Sequence, residues 1–193
     1  DKTKFQRVYL SDKARNEIIL KGLLEVCPEA SFLLNDIKQL ARVNNFKLDF
    51  NIINRNYGFT MIDSNVVTVN INDNHDSQKL RSIILHELGE SHYIVTKHPR
   101  IISIDESYNR ENKLTEMLSH YHIKLLMREY GLTEIENYDY PNIVKKLSNL
   151  PKDIQETGWS EIVRIVWGRI TFEDLFTVDN SKYENVVHNI TEI

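Results

Sequence analysis

A single cysteine, Cys27, stands among 193 residues, so neither an internal disulfide framework nor a Cys-x-x-Cys motif can form. Cys27 reads as a small buried residue, and the chain as one kept in the cytoplasm. No run of about 18 apolar residues occurs, so no segment reads as a membrane span. The opening residues DKTKFQRVYLSDKARNEIIL carry basic side chains with no apolar segment behind them, and no signal peptide is expected. Blocks of basic residues are missing too. Lys and Arg number 24 against 28 Asp and Glu, for a formal charge of −4, and no direct contact with nucleic acid is expected. Repeats and low-complexity tracts are absent. What remains is 41% hydrophobic and 27% charged, ordinary for a soluble globular chain long enough to bury a real core.

Residues 11–27 hold Ile18, Ile19, Leu23, Leu24 and Val26 at helical spacing, with Pro28 ending the helix. A second helix is expected from Phe32 to Val43, N-capped by Ser31, with Phe32, Ile37, Leu40 and Ala41 inward and Asn44-Asn45 as breakers. The period then changes to two. In FKLDFNII, Leu48, Phe50 and Ile52 alternate with polar residues as in a half-buried strand. GFTMID and VVTVNI flank Asp63-Ser64-Asn65 and read as a hairpin. Asp76 or Ser77 caps a helix over about 77–94, and its Leu80, Ile83, Ile84, Leu85 and Leu88 make it central and buried. After a loop, with a short strand at 101–104, a helix over about 109–130 carries Leu114, Met117, Leu118, Tyr121, Leu125 and Leu126 and stops at Gly131. Turns at YDYP and NLPKD flank further helices, SEIVRIVWGRI among them, and the last residues read as a loose tail.

The chemistry gathers in SIILHELGESH, residues 82–92. At about 100° per residue, Glu90 lies roughly 40° round from His86 and one turn along, so the two side chains point into one space. Glu87 stands beside that line. In HExxH helices an i, i+4 pair binds zinc while the glutamate next to the first histidine acts as general base on water. Here Glu90 takes the second histidine's place, and carboxylate oxygen binds zinc at about 2.0–2.2 Å, close to the histidine distance. His92, roughly 240° from His86, faces nearly the other way and reads as a polar tip at the helix edge. Tyr93 reads as packing. Catalytic zinc takes three protein ligands, so a later helix should supply more. In NKLTEMLSHYH, Glu116 and His120 stand one turn apart on one face. Four donors are then available, His86, Glu90, Glu116 and His120, although a Glu-His pair at this spacing also occurs as a weak solvated pair. His122 reads as a neighbour of His120, and His75, His98 and His188 as surface residues.

The element order, together with SIILHELGE and TEMLSHYHIKLLM, resembles the ImmA/IrrE family of small zinc-metallopeptidase-like proteins over roughly residues 30–130. In that family two helices and a three-stranded sheet precede an HELGH helix, and a later helix supplies a glutamate ligand before a leucine-rich stretch. The resemblance implies an α+β fold. A mainly helical zincin-like domain with a small three-stranded antiparallel sheet would occupy residues 1–130, followed by a helical C-terminal region over 131–193. It also implies His86 and Glu116 as metal ligands, Glu87 as base, and zinc as the metal, with manganese or no metal as alternatives. Two departures stand out: Glu90 replaces a histidine, and Met117 and Leu118 replace the family's small residue and asparagine. Members sit in phages and mobile elements and relieve helix-turn-helix repressors, so a protein partner of that kind is implied.

Two functions stay open beside a non-peptidase metalloprotein with the same ligands. One is a metal-dependent endopeptidase with a rearranged ligand set. The other is a catalytically inactive protein on the same scaffold that regulates a partner by binding. In the second, Glu87, Glu90 and Glu116 would crowd as acids and show raised carboxyl pKa values.

Overall fold

The computed structural model describes residues 11–54, 58–98 and 109–139, by backbone alone at 109–114, 116, 117 and 139. The expected strand at 101–104, the helices and turns beyond 139, the tail and His188 lie outside these residues. The chain divides into two compact units, residues 1–96 and 97–193.

In the first unit, α1 (Asp12–Val26) opens on Ser11, whose hydroxyl accepts from the Ala14 amide. Pro28 then starts a 3-10 turn, Pro28–Ala30, that runs straight into α2 (Ser31–Val43). Ser31 is therefore the first residue of α2 and not its cap. The inward stripe is Leu33, Leu34, Ile37 and Ala41, and Phe32, expected inside, is 77% exposed. Cys27 is buried as expected, and burial pushes its thiol pKa up. Asn45 ends α2 with a φ of 61°. Phe46 donates back to Ala41 and Asn45 to Arg42, which satisfies the last carbonyls of the helix.

Three strands follow: β1 (Lys47–Ile53), β2 (Gly58–Asp63) and β3 (Val66–Asn72), in the order β1-β3-β2. β2 and β3 form the expected hairpin, with Ser64 at a φ of 55° in the two-residue connection. β1, however, pairs parallel to β3, so the sheet is mixed and not antiparallel. The cause lies in the connections. The tight turn commits β2 to one edge of β3 and leaves the other edge free. The chain leaving α2 reaches that edge where β3 begins, and the Lys47 amide donates to the Asn65 carbonyl. Alternation in a sequence fixes which face of a strand is buried, not which way its neighbour runs.

Phe50, Val67, Val69 and Ile71 form the buried centre of the sheet, whereas Ile52, expected inward, is 39% exposed. The free edge of β1 is met by α1. Asn16 accepts from the Phe50 amide and donates to the Asp49 carboxylate, which closes part of an edge that would otherwise offer unpaired groups.

The third α-helix, α3 (Ser77–Val95), starts at Asp76, whose carboxylate accepts from the Gln78 and Lys79 amides. It packs on β3 and β2 with α2 alongside. Leu80, Ile83, Ile84, Leu85 and Leu88 are all buried, as expected. Its far end is fixed by Asn44, which donates to the Val95 carbonyl at 2.8 Å.

In the second unit, α4 (Asn109–Glu129) ends as α2 does. Gly131 takes a φ of 68°, Leu132 donates to Met127 and Gly131 to Arg128. Ile123, Leu126 and Met127 are buried. A short helix α5 (Thr133–Glu136) and a 3-10 turn, Asn137–Asp139, follow. Among the described residues no helix is long and apolar enough to cross a membrane.

The buried face of β1 and the exposed face of α2 can be tested with two phenylalanines. Phe50→Ala is expected to cost about 3–5 kcal/mol, as for a buried aromatic, and Phe32→Ala to stay within about 0.5 kcal/mol. Denaturant midpoints measure both.

Candidate metal centre

Helix α3 carries the site because one of its stripes must face the sheet. Leu80, Ile84, Glu87 and Ser91 follow one another at helical spacing, and all four are buried. Glu87 thus continues an apolar line into the space under β2, where it is only 5% exposed. His86 and Glu90 lie one turn apart beside it, with His86 Nε2 3.9 Å from Glu90 Oε1 and side-chain exposures of 26% and 24%. The pair is open to a ligand from outside, and the carboxyl next to it is not.

Burial is the largest influence on Glu87 and raises its pKa to about 7. A charged His86 pulls the value down, Glu90 pushes it further up, and the Thr60 hydroxyl pulls it down. Desolvation, not crowding among acids, therefore dominates. Thr60 Oγ1 lies 2.9 Å from Glu87 Oε2 and 3.0 Å from the Glu87 carbonyl oxygen. Ser91 Oγ donates to that same carbonyl at 2.8 Å.

His86 and Glu90 belong to the first unit and His120 to the second, and each of the three offers one ligand atom of a kind that holds metal ions. Glu116, the other expected ligand, stands in α4 one turn before His120, and its side chain lies outside the described residues. Two imidazoles and one carboxylate are the donor composition of many catalytic zinc sites, which leave a fourth position open. Ligands of a tetrahedral zinc stand roughly 3.4 Å apart, so His86 and Glu90 would close by about half an ångström. Side chains a quarter exposed have room for that adjustment. The donor set fits zinc.

His92 differs from expectation. It is not a polar tip at the helix edge but buried at 8% exposure, with Nε2 3.4 Å from Asp36 Oδ2 on α2. The helix edge it occupies is covered by α2, which a single-helix projection does not reveal. Tyr93 is buried, in keeping with packing. His122 has the His98 ring beside it, with centroids 4.5 Å apart.

Two residues at Glu87 carried no signal in the sequence. Thr60 reads there as one polar position of an alternating strand, and Gly58 as its start. A Cβ added at Gly58 would lie 3.0 Å from both Cγ and Oε1 of Glu87.

No family model, no curated protein and no solved structure matches the chain. The site is read from its own chemistry.

The raised pKa of Glu87 has a signed consequence for metal-free protein. Between 4.5 and about 7 the folded state holds a proton that the unfolded state has lost, so this group's contribution falls as pH rises through that window. Thermal unfolding of chelator-treated protein should show Glu87→Gln gaining on the wild type as pH rises from 4.5 to about 7. A constant difference between the two would contradict the burial of this carboxyl.

Proposed function

We propose that this chain is a metal-dependent endopeptidase-like protein of the ImmA/IrrE kind, zincin-like in fold, acting on a regulatory protein such as a phage or mobile-element repressor. The observation that carries the reading is the buried Glu87 carboxyl next to the half-open His86–Glu90 pair. A structural glutamate has little reason to be there, because burying an ionisable group costs stability. A general base has good reason, because a pKa near 7 suits proton transfer at neutral pH.

By residue type, His86 and Glu90 on α3 and His120 on α4 would hold the metal, with Glu116 as a further ligand on the strength of the resemblance. Zinc in that position supplies Lewis acidity that polarises a scissile carbonyl and acidifies water. Glu87 takes the proton from the attacking water and returns it to the leaving amine. The exposed side of the His86–Glu90 pair admits the substrate.

Glu90 in place of a histidine favours a second reading, a protein on this scaffold that regulates its partner by binding alone. Mapping of new protein N-termini in cells separates the two. The endopeptidase reading expects N-termini that form with wild-type protein and are lost with Glu87→Gln, while the variant keeps its metal. Identical N-termini in both strains, or none in either, would overturn it.

A further inference from the structure

The structure assigns a positioning role to strand β2: Thr60 and Gly58 together fix the orientation of the Glu87 carboxyl. This rests on the reading of Glu87 as a base, but its geometry stands apart from that reading. The two residues are i and i+2 on β2, so their inward sides share the face that α3 covers. The Thr60 hydroxyl sits 2.9 Å from Oε2 and 3.0 Å from the Glu87 backbone carbonyl. It bridges both ends of the Glu87 residue and restricts rotation of the carboxyl about its stem. One hydroxyl carries one proton. It donates to whichever of the two oxygens is the better acceptor, and that is Oε2 once the carboxyl ionises.

Gly58 acts on the other oxygen by what it lacks. A Cβ there would stand 3.0 Å from Oε1, 3.0 Å from Cγ and 3.0 Å from the Asn70 carbonyl oxygen. The Asn70 oxygen is backbone of the central strand and cannot give way. A side chain at position 58 would therefore make Glu87 or β2 give by a few tenths of an ångström. Glycine lets Oε1 sit close against β2 while the Thr60 hydroxyl holds Oε2. A base acts best when its carboxyl is held at a fixed angle.

Three variants test this: Thr60→Val, which keeps the shape and loses the hydroxyl; Thr60→Ser, which keeps the hydroxyl; and Gly58→Ala. The carboxyl carbon of Glu87 is observed by NMR in glutamate-labelled full-length protein, with and without added zinc, and assigned through its disappearance in Glu87→Gln. The expected result is a Glu87 resonance displaced in Thr60→Val and Gly58→Ala and restored in Thr60→Ser. Where a cleaved protein is in hand, Thr60→Val should lower kcat about tenfold with KM little changed, the loss of one charge-assisted hydrogen bond. A Glu87 resonance that stays in place in Thr60→Val would overturn the assignment, as would one that Thr60→Ser fails to restore. Absence of zinc or of cleavage in the wild type would count against the peptidase reading alone, because the NMR comparison is equally informative in metal-free protein.

Discussion

A carboxyl group held in an apolar interior governs the arrangement of this site. Glu87 is placed there by its neighbours on α3: Leu80 and Ile84 must reach the sheet, and helical spacing carries position 87 along with them. Once there, the carboxyl cannot ionise at the usual carboxylate range, because burial penalises its charge. Its remaining freedom is limited by β2 from one side. His86 and Glu90 are left on the flank of the same helix, where they are reachable from outside. One stretch of buried helix thus produces a guarded carboxyl and an accessible pair of donors. Neither feature needs a loop or a moving part.

The replacement of histidine by Glu90 looks like a loss when α3 is read alone. It looks different when donors are counted. His86, Glu90 and His120 comprise two imidazoles and one carboxylate, the same chemistry as a His-His-Glu set with the order along the chain exchanged. Charge and hardness at a zinc ion depend on which atoms surround it, not on which helix they come from. An HExxE helix therefore does not by itself argue for a dead site.

The sequence carried much of this, and the parts it missed share one cause. Helical spacing was enough to find α1, α2 and α3, and to put His86 and Glu90 on one line with Glu87 beside it. The DSN turn was enough for the β2–β3 hairpin. These are local signals, complete within a few residues. The parallel pairing of β1 depends instead on where α2 releases the chain, and Phe32 was misplaced because the face of α2 that packs is the Leu33, Leu34, Ile37 and Ala41 side. His92 was assigned to an edge that α2 covers. Thr60 and Gly58 meet Glu87 from 27 and 29 residues away in sequence, and a threonine or a glycine in a strand gives no local sign of such a contact. Long-range neighbours decided each of these cases.

The central claim is that the flank of α3 holds a metal ion through His86. Metal content of untagged, chelator-free protein, measured by plasma mass spectrometry with His86→Ala alongside, tests it most directly. The account predicts about one zinc or manganese per chain in the wild type and almost none in the variant, with the fold of both unchanged. A wild type that stays empty after dialysis against zinc, or a His86→Ala protein that keeps its metal, would contradict it.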